Sequence, residues 1–399
     1  MSPLEVHTPR VRNLTIYCGW QVPVLELDVD FPQLESLTLY SFIYFSRSDE
    51  AAHEPVPIFS FAASPMLRKL TLKAFHFFPG IAYGSLTHLA LEDMTLPSLG
   101  SVLRLISRCA PTLEGLVLRE LSVRARPPTP AEEPPQIHLP RVRRLALGSR
   151  SVTYDSIQFL KYLIPPASAS LHLVGDVATN LPPSLPALAW IGACTTLAVA
   201  LADREVTLVL SGAPGPHAAA TLSLGWKEDR DDPRSAPRAK LLAHVPWARL
   251  AAVALRADTL DCSPFVLLDV VRSAAPERVR SLRVALAPSL SLRHGREVGE
   301  VLSTVVGGPG KETPGLDELE VWTEDVKNQL VPMELGRRAR GVKKVVVHCP
   351  ALKDETLRTW WDQTRRDLPQ AEMRLLGGQA MEALHLPELD KAMDGFVWS

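Results

Sequence analysis

One recurring phrase leaves this chain little freedom in how it folds: Pro-x-Leu-x-x-Leu-x-Leu-x-x-apolar. Pro32, Leu34, Leu37, Leu39 and Phe42 spell one copy, and Pro65, Leu67, Leu70, Leu72 and Phe75 spell the next. Further copies run through Leu86, Leu89, Leu91 and Met94, and through Leu113, Leu116, Leu118 and Leu121. Alternate side chains of a strand point to opposite faces, so the two leucines of Leu-x-Leu leave on the same side. A single strand cannot bury that side by itself. Copies of the phrase must therefore stack, each covering its neighbour, and the terminal copies need caps.

The first apolar positions fall at Val11, Leu34, Leu67, Leu86, Leu113 and Val142, with spacings of 23, 33, 19, 27 and 29 residues. They return at Leu250, Val279, Leu316 and Val342, spaced 29, 37 and 26 residues apart. These values bracket the repeat length of leucine-rich repeats, roughly 20 to 29 residues. The expected fold is α/β, an irregular leucine-rich-repeat solenoid with parallel strands on its concave face and helices and loops on its convex face. Because such a fold grows by adding repeats, the 399 residues read as a single domain, 1–399.

Between strands, Leu99 to Cys109 places Val102, Leu103, Leu105 and Ile106 on one helical face before Ala110-Pro111 ends it. Pro264 to Ala275 repeats the pattern and stops at Pro276. Loops are expected at 124–138 and 227–240, which are proline-rich and charged, and at 307–315; a C-terminal cap is expected over 377–399. The stretch 151–245 fits the phrase least well, with short alternating runs at Leu171 to Val174, Glu205 to Leu210 and Thr221 to Leu224. Leu181 to Ala202 is uncharged and long enough to resemble a membrane span, but its prolines and alanine-rich composition favour a helix end followed by a strand.

Several function classes lose support from composition. Lys and Arg total 43 against 44 Asp and Glu, so no global basic field exists to attract a nucleic-acid backbone. The five cysteines are odd in number, widely spaced and without a Cys-x-x-Cys pair, which reads as buried thiols in a reducing compartment. The N-terminal residues show no secretory pattern, so cytoplasm or nucleus is the expected location. Gly307-Gly308-Pro309-Gly310-Lys311-Glu312-Thr313 imitates a phosphate loop, yet Val305 and Glu312 stand where that motif requires Gly and Ser or Thr. No hydrolase or zinc-protease signature occurs, and the 11 histidines do not cluster. The expectation is a protein with no catalytic residues, no cofactor and no metal, contacting neither nucleic acid nor membrane.

What remains is the outward face of the strands. Numbering the phrase from its first leucine, residues at positions 3, 5 and 7 project outward and form columns across successive repeats. The first repeats present Asn13, Thr15 and Tyr17, then Ser36, Thr38 and Tyr40, then Lys69, Thr71 and Lys73, then His88, Ala90 and Glu92, with Arg119 following. Later ones present Ser281, Arg283 and Ala285, then Glu318, Glu320 and Trp322, then Lys344, Val346 and His348. Aromatic and Arg side chains anchor binding hot spots, so Tyr17, Tyr40, Lys69, Lys73, Arg119, Arg283, Glu318 and Trp322 are the candidate protein-binding residues. The plainer alternatives are an aromatic pair, Tyr17 with Tyr40, that only steadies the sheet, and an internal ion pair between Arg283 and Glu320.

Pro32-Gln-Leu-Glu-Ser-Leu-Thr-Leu39, Pro65-Met-Leu-Arg-Lys-Leu-Thr-Leu72 and Ala110-Pro-Thr-Leu-Glu-Gly-Leu-Val-Leu118, joined by irregular loops, resemble the leucine-rich-repeat region of F-box proteins of mushroom-forming fungi. In that family the repeats select a substrate protein, while an N-terminal helical F-box grips the adaptor of a cullin-type ubiquitin ligase. The resemblance implies a substrate-recognition role and a cullin-ligase adaptor as a further partner. The F-box itself is not matched, since the phrases begin by Val11. A stand-alone scaffold using the same surface is the alternative.

Overall fold

The computed structural model describes residues 8–18, 31–41, 60–61, 64–74, 80–81, 83–96, 98–123, 135–149, 157–175, 186–202, 205–217, 220–227, 245–257, 279–286, 317–323, 342–348, 355–367 and 369–376. It is mixed α/β, dominated by parallel β-sheet, and divides into two compact units, Met1–Ala187 and Leu188–Ser399.

In the first unit the main sheet runs in the order β1 (Asn13–Cys18), β2 (Ser36–Ser41), β3 (Lys69–Lys73), β4 (His88–Leu96), β5 (Gly115–Val123), β6 (Arg144–Ser149) and β7 (Ser170–Gly175), every pairing parallel. Register follows the phrase without slippage: Leu37 pairs with Leu70, Leu70 with Leu89, Leu89 with Leu116, Leu116 with Leu145 and Leu145 with Leu171. The inward leucines at positions 1, 4 and 6 from β2 to β5 are 0–1% exposed. Leu14 and Ile16 of β1, which pairs with β2 alone among the described strands, are half-buried.

Two backbone devices set each repeat. The proline of the phrase occupies the second position of a β-turn, closed by Leu34 N–H to Phe31 C=O, Leu67 N–H to Ser64 C=O and Val142 N–H to Leu139 C=O at 3.1–3.2 Å. Next, the carbonyl at position 2 accepts two consecutive N–H groups of the following repeat. Arg12 C=O takes those of Glu35 and Ser36, Glu35 C=O those of Arg68 and Lys69, Arg68 C=O those of Thr87 and His88, and Thr87 C=O those of Glu114 and Gly115. Each strand start is thereby tied to its predecessor, with buried amides satisfied.

Position 8 explains why the phrase ends Leu-x-x-apolar rather than continuing its alternation. Ala74, Asp93 and Glu120 occupy this position in three successive repeats, and all three adopt left-handed backbone with φ of 58°, 53° and 50°. One such residue shifts the parity of the strand, like a bulge, so that position 9 turns back inward. Met94 and Leu121 accordingly lie buried at 1% and 3% exposure. Because β4 and β5 make the shift together, their pairing resumes at Met94 with Leu121, and Ser122 Oγ–H donates to Thr95 Oγ1 at 3.0 Å.

Helix α1 (Leu99–Cys109) forms where the apolar spacing predicts it. Ser98 caps it by accepting from Ser101 N–H at 3.2 Å, and it buries Leu99, Val102, Leu103, Leu105, Ile106 and Cys109. A short helix α2 (Ile157–Tyr162) precedes β7. Ile137–His138 pairs in parallel with Leu163–Ile164, so the end of the expected loop 124–138 is ordered strand.

The second unit has the order β10-β9-β8-β11-β12-β13-β14-β15, where β8 is Thr196–Ala202, β9 Glu205–Ser211, β10 Leu222–Lys227, β11 Ala252–Ala257, β12 Ser281–Leu286, β13 Glu318–Thr323, β14 Lys344–His348 and β15 Glu372–Leu376. From β8 through β11 to β15 the strands are parallel and repeat the scheme of the first unit, with Thr195, Ala251, Arg280 and Asp317 each offering the double-acceptor carbonyl. The strands β8, β9 and β10 instead form an antiparallel meander. The stretch 151–245, which fits the phrase least well, thus holds two repeat strands, β7 and β8, and two antiparallel strands added to β8. A 3-10 helix at Pro186–Ala193 and β8 occupy most of the run that resembles a membrane span, and no described helix is long and apolar enough to cross a membrane. Helix α3 (Glu355–Asp367) leads to β15, with Glu355 in its first turn and Arg365 and Arg366 in its last, favourable to its dipole.

The expected helix 264–275, loop 307–315, cap 377–399, and residues 124–134 and 228–240 of the other two loops lie outside the described residues.

Two substitutions test these devices. Asp93→Val should destabilise the protein by about 1–2 kcal/mol, because a β-branched side chain resists left-handed backbone, while Asp93→Gly should not. At Gly148 of β6 an added Cβ would stand 2.9 Å from Val174 Cβ and 3.0 Å from its carbonyl oxygen. Gly148→Ala should therefore cost roughly 1–3 kcal/mol. Urea denaturation of the full chain reads both.

Candidate functional site

The outward face of the first unit carries the first group of candidate residues, on adjacent strands. Positions 3, 5 and 7 align across the strands as the phrase predicts: Asn13-Ser36-Lys69-His88, Thr15-Thr38-Thr71-Ala90 and Tyr17-Tyr40-Lys73-Glu92. In the third column the Tyr17 and Tyr40 rings stack at 5.0 Å between centroids and 8° between planes. Lys73 Nζ lies 5.8 Å from the centroid of the Tyr40 ring, within cation–π range. Tyr17 is 61% exposed. Lys69 and Lys73 sit on one strand, two outward positions apart, with Thr71 between them.

Further along the same column the charges pair. Arg119 of β5 stands 4.0 Å from Glu92 of β4. Its next neighbour in register is Gly148, which offers no side chain, and the Arg119 charge is felt by His172 of β7 beyond. Burial first, and the Arg119 guanidinium second, pull the His172 imidazole down to about 3, so it is neutral near pH 7. His88, also partly buried and near Lys69, is lowered as well.

The second unit carries the remaining candidates Arg283, Glu318 and Trp322, and the first two are engaged by side chains of the neighbouring strands. Arg283 Nε is 3.4 Å from Glu320 Oε2, and the His348 Nε2–H group donates to Glu320 Oε1 at 2.9 Å. Lys344 Nζ is 3.4 Å from Glu318 Oε1, and Lys343 Nζ is 2.7 Å from Asp317 Oδ1 at the strand entry. Trp322 lies in β13, in register with Ala285 on one side and His348 on the other. The ion pair weighed for Arg283 and Glu320 is formed. The sequence reading missed that His348 completes it and that Lys344 engages Glu318. The second was legible from position, since Lys344 occupies the same column as Glu318, whereas His348 sits one strand over and one column along from Glu320.

No family model matches the chain, nor does any curated protein or solved structure.

Among the described residues no group of three His, Cys, Asp or Glu side chains is placed to hold a metal ion. Cys109 and Cys194 are free and buried, and burial pushes their thiols up to about 12 and about 11, which leaves them protonated and unreactive near pH 7. The outward strand faces present aromatic rings, hydroxyls, ammonium groups and ion pairs.

Replacing Tyr17 and Tyr40 by alanine singly and together should give a coupling of about 0.5–1.5 kcal/mol, the worth of a stacked pair, with no larger loss of stability. A much larger loss would make the pair part of the core. For His172 the sign is fixed by its depressed value. The unfolded chain binds a proton near pH 6.5 that the folded chain refuses until about 3, so stability is full above pH 6.5 and falls as pH drops through that window. His172→Gln should flatten the decline of the unfolding free energy, read by urea denaturation, by roughly 1 kcal/mol per pH unit between about pH 6.5 and pH 5.

Proposed function

We propose that this chain is a non-enzymatic, protein-binding leucine-rich-repeat solenoid, and that its outward strand face selects the partner. The observation that carries this reading is the column Tyr17-Tyr40-Lys73, a stacked aromatic pair with an ammonium beside it, in which Tyr17 and Lys73 are exposed and Tyr40 half-buried. The recurrence in both units of the double-acceptor carbonyl and of the in-register apolar positions supports the repeat architecture. Rigid strands hold such side chains at fixed spacing, which lowers the ordering cost of binding.

The repeat phrases resemble those of fungal F-box substrate receptors, and on that ground we assign the partner as a protein presented for ubiquitination, with a cullin-type ligase adaptor as the second contact. The alternative is a scaffold without a ligase link.

A photo-crosslinking residue placed at Thr38, between the Tyr40 and Ser36 columns, tests both in native cells. Crosslinked protein that disappears when Tyr40 and Lys73 are replaced together supports the face as the binding site. Co-purification of the ligase adaptor at near-stoichiometric level supports the receptor reading, and its absence beside a crosslinked partner leaves the scaffold. Absence of any Tyr40-dependent crosslink defeats both. The double replacement should leave the melting temperature within a few degrees of the parent.

A further inference from the structure

The outward surface of β1, β2 and β3 is chemically one-sided. Its nine positions hold Asn13, Thr15 and Tyr17, Ser36, Thr38 and Tyr40, and Lys69, Thr71 and Lys73, which amount to two cations, hydroxyls and an amide with no carboxylate. The first acidic group in these columns is Glu92 of β4, and Arg119 already stands 4.0 Å from it. Among the described residues neither Lys69 nor Lys73 has a carboxylate within the 4.0 Å ion-pair distance, whereas in the second unit Arg283 and Lys344 each have one at 3.4 Å. Lys69 and Lys73 thus have no ion pair at that distance among the described residues, with Glu92 the register neighbour of Lys73.

We propose that this surface takes an extended, carboxylate-bearing segment of a protein partner, lying along β3. The proposal rests on the protein-binding reading above and specifies the chemistry of the partner. Lys69 and Lys73 are four residues apart on one strand, about 13 Å at a rise of ~3.3 Å per residue. An extended peptide has the same rise, so Asp or Glu side chains four residues apart meet both ammonium groups at once. The hydroxyls of Thr38 and Thr71 lie between the two cations and suit the peptide backbone. The stacked Tyr17 and Tyr40 rings offer an apolar wall beside Lys73 against which the segment can pack. A nucleic-acid strand fits less well, because binding one calls for a positively charged groove that tracks its backbone. Here two stand alone in a chain of net charge -1.

Panning a random-peptide phage library on the full chain tests this, with the Lys69→Glu/Lys73→Glu variant and an oligothymidylate competitor as controls. The expected result is enrichment of peptides carrying Asp or Glu four residues apart, which bind the charge-reversed variant at least about tenfold more weakly. The variant should in turn enrich Lys- or Arg-bearing peptides at the same spacing. Enrichment of uncharged or basic peptides on the parent, equal binding to parent and variant, no enrichment at all, or displacement by oligothymidylate overturns the proposal. If a Tyr40-dependent crosslink in cells persists alongside such a result, the acidic partner is wrong and the protein-binding face stands. If neither is found, both fall.

Discussion

The in-register stacking of apolar positions 1, 4 and 6 governs the structure. No strand of five or six residues is stable alone, and none of these could bury its leucines without a neighbour presenting the same pattern at the same height. Register is held at both ends of the phrase. At the start, one carbonyl accepts two successive amides from the next repeat, and in the interior the Leu-x-Leu pairs interlock so that a slip of one residue would turn every leucine outward. Leu14 and Ile16 of β1, which pairs with one described strand, are half-buried, whereas Leu37 and Leu39 of β2, which pairs with two, are fully buried.

Once register is fixed, the outward face is fixed too. Positions 3, 5 and 7 can only fall into columns, and the functional character of each unit follows from which residue types share a column. In the first unit the shared types are tyrosine, threonine and lysine, which leave aromatic surface and positive charge open. In the second, Glu318, Glu320, Arg283, Lys344 and His348 pair among themselves. Surface pairs of this kind contribute roughly 0–1 kcal/mol to stability each, so their main effect is to remove unpaired charge from the face.

The columns, the turn prolines and helix α1 were legible in the sequence because leucine marks them plainly and because their signals are local. The place of β8 among the repeats was not, although a strand was expected there. Cys194, Leu197 and Val199 occupy positions 1, 4 and 6 there, but cysteine and an alanine-rich run disguise the phrase, and only the register with Leu250, Val253 and Leu255 reveals it. The meander of β9 and β10 was hidden for another reason: antiparallel pairing after a short connection leaves the same alternating pattern as a repeat strand. Helix α3 and β15 went unread because Glu372-Met-Arg-Leu375 carries only two of the apolar positions. For the candidate site, the tyrosine and lysine groups could be placed from spacing alone. That His348 closes on Glu320 depended on a diagonal contact between columns, which spacing within one strand does not encode.

The double-acceptor carbonyl also determines how the first unit responds to force. From β2 to β6 each strand start is held by two amides to one neighbour and by ladder bonds to that neighbour and the next, and all pairings are between strands lying side by side. Tension applied across the strands, from β1 toward β7, loads these bonds one strand at a time, as a zipper is loaded, whereas tension along the strands would shear a whole ladder at once. Pulled across its strands, the unit yields in small successive steps, each releasing one repeat while the remainder keeps its register.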